Sequence, residues 1–242
     1  MLSKSHEIIR KVYILLGFIC ILLITGCASQ KTWKYGIEPV AISPVIIDKS
    51  VAVPPFSDQR LSENNNMFLM YLIPLMPFGW QNCNTPEGIQ RHTNTGIWFW
   101  RPNEDIAKAV AEELHASHIF KEAFFTYRES DAPLALKGTI QSTKYTGKFI
   151  TYGLSIFGPY LWFVGFPATS ISNELIISFK LVDKTKNIVL WEKNYRQKIN
   201  KLSWIYCIRS DFEYSDLLKD VLLDMTNDIR SNISSLNLSK PR

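Results

Sequence analysis

The side chains with the clearest potential for chemistry are a serine, an aspartate and a histidine in the first half of the chain. Ser57 and Asp58 follow an apolar segment that ends in two prolines, and His92 lies further along the same stretch. A serine activated by a histidine base, with a carboxylate to orient the base, is the arrangement of a hydrolase. No recognised hydrolase, metalloprotease, phosphate-loop or dinucleotide-binding motif accompanies these residues. An envelope hydrolase with an unrecognised site is therefore only the second hypothesis for this chain, and Asp58 is equally explained by an exposed ion pair with Arg60 in a turn.

A second place for chemistry is a pair of histidines at the end of a predicted helix. His115 and His118 are spaced to share a helical face and could bind a metal ion together. A solvated helix end is the simpler interpretation of this pair. We expect neither a metal nor a cofactor.

Cys27 stands directly behind an apolar run, Val12 to Ile24, near the start of the chain. This run is too short to span a bilayer, which takes roughly 20 helical residues. A basic segment, a short apolar segment and small residues in succession are typical of a secretory signal. The basic residues ahead of the run are Lys4, Arg10 and Lys11.

The residues Thr25-Gly26-Cys27 resemble the lipobox of bacterial lipoproteins. The resemblance implies a diacylglyceryl group on the thiol of Cys27, cleavage before it, and acylation, for example by palmitate, of the new amino terminus. Ala28 takes the place of the aspartate that retains such proteins in the inner membrane, which implies an outer-membrane protein facing the periplasm. Two alternatives are a plain signal peptide with an incidental cysteine and a retained transmembrane anchor.

Composition narrows the class of protein further. The chain has 242 residues and a formal net charge of +5, and part of this charge belongs to the signal. No block of Lys and Arg indicates a nucleic-acid partner. Cys83 and Cys207 remain once Cys20 leaves with the signal and Cys27 is acylated. Because an exported protein can form disulfides, we predict a Cys83–Cys207 bridge, with two unpaired thiols as the alternative.

The elements that must position these residues follow from hydrophobic periodicity. The pattern predicts an α+β fold in the order β-α-β-β-β-α: a four-stranded mixed sheet with two helices on one face and long apolar loops at one pole. The predicted helices begin at Asn103, which caps the first, and at Ser215; the strands are 49–56, 134–140, 174–182 and 188–198. We assign 1–26 to the signal peptide, 27–47 to a tether, 48–234 to one periplasmic domain and 235–242 to a mobile tail.

The predicted topology brings three loops to one edge of the sheet. Segments 57–101, 148–173 and 199–213 follow strands that end at this edge, so their aromatic residues gather there. Either these loops bury one another as a small second core, or they face a protein partner or the membrane; a spanning helix at 149–172 is a weaker alternative, because glycines and prolines interrupt it. The residues of this predicted partner or membrane face are Trp80, Trp98, Trp100, Tyr160, Trp162, Phe163, Phe166 and Trp204, with Tyr206 beside them.

Three segments carry a resemblance to a family of known fold. The strand Val51–Phe56, the helix Asp105–Leu114 and the hairpin residues Ile188–Glu192 resemble periplasmic domains of the TolB amino-terminal and curli-secretion lipoprotein type. The resemblance implies a non-enzymatic protein that acts in outer-membrane assembly, secretion or polysaccharide export. Our leading hypothesis is a lipid-anchored accessory protein whose aromatic pole docks an envelope protein partner, self-assembles or inserts shallowly in a bilayer. The long apolar insertions depart from the family pattern.

Overall fold

The computed structural model describes residues 30–37, 45–86 and 88–232. The predicted signal peptide 1–26, the lipidation site Cys27 and the predicted tail 235–242 lie outside these residues, as do 28–29 and 38–44 of the predicted tether. The chain from Lys31 onward forms one compact unit with its own buried core.

The described part of the chain forms twelve strands and three α-helices. The helices are α1 (Pro102–Ala116), α2 (Pro159–Phe163) and α3 (Tyr214–Asn232). In chain order the strands are β1 (Gln30–Thr32), β2 (Ile47–Val53), β3 (Ser57–Asp58), β4 (Asn65–Met67), β5 (Phe78–Cys83), β6 (Ile89–His92), β7 (Gly96–Phe99), β8 (Phe120–Phe125), β9 (Leu134–Ser142), β10 (Tyr145–Ile150), β11 (Thr169–Asp183) and β12 (Ile188–Ser203).

The prediction of a four-stranded sheet with two helices is wrong. The structure has a nine-stranded mixed sheet, in the order β4-β5-β10-β11-β9-β2-β8 with β12 paired to β11 and β3 to β9, and a separate three-stranded sheet, β1-β7-β6. The four predicted strands are present as β2, β9, β11 and β12, adjacent and in the predicted directions. The missed strands are short and interrupted by Gly, Asn and Lys, so tertiary pairing rather than propensity makes them strands.

The core lies between one face of the large sheet and the helices α1 and α3. Along β11, Leu175, Ile177, Phe179 and Leu181 alternate with less buried residues and are all fully buried, as period-2 alternation requires when one face is covered. The helices bury apolar stripes of 3.6-residue periodicity and contact each other.

The start of α1 differs from the prediction that Asn103 caps it. The helix begins one residue earlier, at Pro102, whose fixed φ and missing N–H suit the first helical position. In place of a side-chain cap on the first turn, the backbone N–H of Arg101 donates to Asp105 Oδ2 at 2.7 Å.

The 57–101 insertion is not a free loop: it adds β3, β4 and β5 to the large sheet, and its β6 and β7 belong to the three-stranded sheet. Strand β10 pairs with β5 on one side and with the first part of β11 on the other, while β9 pairs with the remainder of β11. Segment 149–172 thus contributes strand residues, a 3-10 turn and the short α2, and no helix among the described residues is long and apolar enough to cross a membrane. This pairing carries the insertion to the end of the sheet where the other two apolar loops lie.

Candidate functional site

Three uncharged segments meet at one end of the large sheet and form the surface that we call the apolar pole: residues 67–77, 151–167 and 202–208. Backbone hydrogen bonds join the first two, from Leu75 N to Gly153 O and from Thr151 N to Pro77 O, both at 2.9 Å. The hydroxyl of Tyr206 joins the third segment to the second by donating to Phe163 O at 2.9 Å. The predicted convergence of the three loops is therefore present in the structure.

The side chains at the surface of the pole are apolar. Leu75 is 88% exposed, and Leu69, Val164 and Ile208 are exposed to 68%, 72% and 71%. Single exposed apolar residues are common on proteins, but a contiguous set from three segments marks an interaction surface. The predicted partner or membrane face contained the aromatic residues here but not the aliphatic ones. The absence of charge throughout 67–77 was the signal that could have identified them.

The predicted aromatic face divides into two groups. Tyr160, Phe163 and Phe166 are exposed at the pole, as is Tyr206, and Trp204 is half-buried there. Trp162 is buried beneath them, packs edge-on against Phe149 at 4.7 Å between ring centres, and donates its indole N–H to Ile150 O.

The other predicted aromatic residues do not face outward at the pole. Trp98 stacks on Phe212 at 4.1 Å, and the fully buried Trp100 stacks on Tyr214 at 4.9 Å. Trp80 is half-buried on β5, with its ring 6.0 Å from that of Phe78. Mutual burial, the alternative left open by the sequence, therefore applies to Trp98 and Trp100 but not to Tyr160, Phe163 and Phe166.

A buried carboxylate, Asp211, holds the loops behind the pole. Its oxygens accept hydrogen bonds from the backbone N–H groups of Asn94 (2.7 Å) and Thr95 (3.1 Å), from the Thr95 hydroxyl, and from the Tyr145 hydroxyl at 2.9 Å. His92 Nδ1 lies 3.7 Å from the same carboxylate. Asp211 thus ties the turn of the β6–β7 hairpin to β10 and to the loop before α3.

The network shifts the pKa values of its members in opposite directions. Burial by itself raises the pKa of Asp211, but the hydrogen bond and charge of His92, with the donors of Thr95 and Asn94, outweigh it and leave the pKa below its ordinary value. Burial, reinforced by the negative charge of Asp211, raises the pKa of Tyr145 well above its ordinary range. The carboxylate is therefore held ionised and the phenol neutral, which suits a structural clamp.

The structure does not assemble Ser57, Asp58 and His92 into one centre. The His92 ring is buried, stacks on Tyr145 at 3.8 Å, and lies 2.8 Å from the carbonyl oxygen of Asp211. Ser57 is exposed on β3, and no hydrogen bond joins it to His92 among the described residues. Asp58 instead accepts two hydrogen bonds from the guanidinium of Arg60, at 2.9 and 2.7 Å.

The Asp58–Arg60 pair is less exposed than the sequence suggests. Arg60 is 5% exposed and also donates to the Thr143 hydroxyl at 2.7 Å, so the pair anchors the start of the insertion to the junction of β9 and β10. His115 is exposed at the end of α1, and His118 follows it with a φ of 52°. Within the described ranges no group of three or more His, Cys, Asp or Glu side chains is arranged to hold a metal ion.

The predicted Cys83–Cys207 disulfide is not formed in the structure. Cys83 is buried at the end of β5, whereas Cys207 is exposed beyond the end of β12. Strands β10 and β11 lie between β5 and β12 in the sheet, so three strand spacings of ~4.8 Å, about 14 Å along the sheet, separate the two strands. A disulfide requires Cα atoms within roughly 7 Å. The segments that carry Cys83 and Cys207 lie at the same end of the sheet, as predicted, but the two cysteines are too far apart to form a bridge.

Comparison with known proteins finds similarity only among solved structures. No protein-family model and no curated protein matches this chain. The protein XCC0632 from Xanthomonas campestris, of family DUF330, is 13% identical, with 82% of this chain and 92% of that chain covered and a TM-score of 0.42. A PelC dodecamer from Paraburkholderia phytofirmans is 14% identical, with 76% of this chain and 92% of that chain covered and a TM-score of 0.37. Similarity at this level supports no conclusion about function.

Proposed function

We propose that this protein is a non-catalytic, lipid-anchored accessory of the bacterial outer membrane, serving assembly, secretion or export, and that its apolar pole inserts shallowly in a bilayer. The lipobox-like residues ending at Cys27 support the anchor. The observation that carries the docking role is the pole itself: three segments without a charged residue, exposing apolar side chains at one end of a rigid sheet.

Several polar groups of the pole are hydrogen-bonded within it, which favours a bilayer over a protein as the surface that it meets. The hydroxyls of Tyr152, Ser155 and Tyr206 donate to backbone carbonyls within the pole. Successive backbone bonds, such as Leu161 N to Gly158 O and Val164 N to Leu161 O, close the turns. Protein interfaces carry about one hydrogen bond per 100–200 Å², whereas lipid offers none to a backbone in contact with acyl chains. A surface with few free polar groups suits the second environment.

The charges next to the pole fit an anionic membrane surface. Lys148, on β10, has its ammonium 4.4 Å from the centre of the Phe78 ring, and Arg209 is exposed directly after Ile208. Neither has an ion-pair partner among the described residues. If the pole enters the bilayer, these two cations lie near the headgroups. Each cation near an anionic lipid surface contributes about 1 kcal/mol of binding free energy. Apolar side chains in the boundary region and cations beside them are the composition of interfacial membrane anchors.

The test is vesicle flotation of the mature chain without its lipid. Residues 27–242 carrying Cys27→Ser contain the whole compact unit and its core, so they are expected to fold. We expect this protein to float with vesicles of phosphatidylethanolamine and phosphatidylglycerol. Phe163→Asp or Leu75→Asp should lower the partition coefficient at least tenfold, because an aspartate costs up to about 3 kcal/mol in the apolar region.

The matched control is Leu223→Asp, which places the same charge at a comparably exposed leucine on α3. It should leave flotation within twofold of the parent protein. Absence of vesicle binding by the parent protein, or equal loss in the control, would overturn the bilayer assignment and favour a protein partner for the pole.

A further inference from the structure

A trough of three adjoining clefts runs from the apolar pole to an amide-rich surface. The central cleft, of about 700 Å³, lies beside the 3-10 turn Phe68–Leu72. It shares Phe68 and Thr93 with an apolar cleft of about 280 Å³ within the pole. It shares Gln81 and Arg91 with a polar cleft of about 280 Å³ on the other side. The central cleft alone has the size of an ordinary ligand site.

The two ends of the trough differ in the side chains that line them: aromatic rings line one end, and amide side chains line the other, which we call the polar end. Phe149, Trp162 and Trp204 line the apolar end, where an acyl chain could replace water around their rings. Four asparagines line the polar end, and three of them, Asn64, Asn66 and Asn82, are hydrogen-bonded within the protein. The side-chain oxygen of each already accepts a bond within the protein, from Asn84 N, Phe68 N and the Thr146 hydroxyl respectively.

The amide nitrogens of these asparagines are therefore the groups that remain for a ligand. None of the three Nδ2 groups donates to a partner in the part of the chain that the structure describes. Each can donate two hydrogen bonds, so the polar end offers donors to phosphate or hydroxyl oxygens.

Arg91 supplies the only permanent charge of the trough. It stands on β6 at the junction of the central and polar clefts, with its side chain exposed. No aspartate or glutamate lines any of the three clefts, and Arg91 forms no ion pair within the described ranges. A guanidinium without a carboxylate, beside unused amide donors, is complementary to an oxyanion such as phosphate.

We propose that the trough binds one anionic phospholipid whose headgroup carries hydroxyls. The phosphate lies at Arg91, the headgroup hydroxyls accept from the asparagine amides, and an acyl chain follows the central cleft toward Trp162 and Trp204. The proposal rests on the proposed function in one respect: the pole brings the open trough to the bilayer from which the lipid enters.

The test is calorimetric titration of the Cys27→Ser mature chain with dihexanoylphosphatidylglycerol below its critical micelle concentration. We expect saturable one-to-one binding that Arg91→Gln weakens at least tenfold and Arg91→Lys largely restores. Arg128→Gln, which removes an exposed arginine from a loop outside the trough, should stay within twofold of the parent protein. Inorganic phosphate and deacylated glycerophosphoglycerol should bind at least thirtyfold more weakly than the lipid.

Two results would overturn the proposal. One is the absence of saturable binding, or an equal effect of Arg91→Gln and Arg128→Gln. The other is binding of inorganic phosphate as tight as that of the lipid, which would make the site a free-anion site. Because the short-chain lipid is monomeric, this titration does not depend on vesicle flotation. A protein that floats without binding the lipid contradicts only this inference, and one that binds the lipid without floating contradicts only the bilayer assignment.

Discussion

At the scale of single residues, Asp211 holds the loops next to the apolar pole in place, although it does not lie in the pole itself. It is fully buried and bonded to a hairpin turn, to β10 and to His92, so it fixes the relative positions of the loops behind the pole. A buried ionised carboxylate is stable only with such a set of donors, and removing its charge leaves these donors poorly matched.

We expect Asp211→Asn to lower the free energy of unfolding by roughly 2–4 kcal/mol at pH 7, because hydrogen bonds to a buried charge are lost together. Folding lowers the pKa of Asp211, so its contribution is complete above the unfolded value near ~4 and disappears as the pH falls through the folded value. The variant should therefore lose less stability than the parent protein as the pH falls below about 5. Urea denaturation at several pH values measures both effects.

Tyr145→Phe is the control for this network, because it keeps the charge of Asp211 while removing one donor to the carboxylate and the acceptor of the Thr93 N–H, and it should cost about 1–2 kcal/mol. Equal stability losses in the two variants at every pH would show that the charge of Asp211 is not what the network requires.

At the scale of elements, close contact between β5 and the turn before it shapes the entrance of the trough. Gly79 on β5 faces the backbone of Phe68, and a Cβ at this glycine would lie 1.8 Å from Phe68 O. The Phe68 ring in turn packs on Phe149 at 5.2 Å between ring centres. The absence of a side chain at residue 79 thus sets the position of the 3-10 turn Phe68–Leu72.

We predict that Gly79→Ala destabilises the protein by about 1–3 kcal/mol, the usual cost of overpacking, and weakens both vesicle and lipid binding by displacing this turn. Gly36→Ala is the matched control, since a Cβ at Gly36 meets no atom within 4 Å, and its effect should stay within about 0.5 kcal/mol. Thermal unfolding followed by circular dichroism compares the two variants. A Gly79→Ala protein as stable as the control would mean that the turn moves freely.

At the scale of the whole molecule, the described chain has one large core and a small second cluster around Tyr145, and no covalent link joins Cys83 to Cys207. The core extends from Trp33 through the large sheet to Ile229 on α3. A bridge from Cys83 to Cys207 would enclose more than half of the described chain, and a loop of this length would contribute about 5 kcal/mol.

We therefore expect dithiothreitol to change the melting temperature of the mature protein by less than about 2 °C. A native bridge of that strength would instead give a fall of roughly 10–20 °C on reduction, at 2–4 °C per kcal/mol for a domain of this size. The exposed Cys207 should react with a thiol reagent in the folded protein, and Cys207→Ser should abolish that reaction without changing the melting temperature. A large fall on reduction would contradict the arrangement of strands between the two cysteines.

The sequence by itself determined the elements whose signal is local. The periodic apolar residues of α1, α3, β9, β11 and β12 appear where predicted, because burial of one face imposes a 3.6- or 2-residue period on the sequence. The absence of charged residues from the three segments of the pole is also visible in the sequence. So is the lipobox-like segment that ends at Cys27, although lipidation of Cys27 remains a prediction. Parallel pairing of β2 with β9 was predicted from the β-α-β order, whereas β8, which directly follows α1 and also pairs in parallel with β2, was missed.

The tertiary structure alone decided the rest, because it depends on partners that are distant in the chain. Strands β5 and β10 have weak patterns and exist through their mutual pairing. An aromatic ring is buried only where another element covers it. Phe212 covers Trp98 and Tyr214 covers Trp100. No described residue covers Phe163, which is exposed. The charge environment of Arg91 is also non-local, since only the folded chain shows that no carboxylate joins it in the trough. Local patterns encode burial, but contact between segments far apart in sequence is encoded only in the packed molecule.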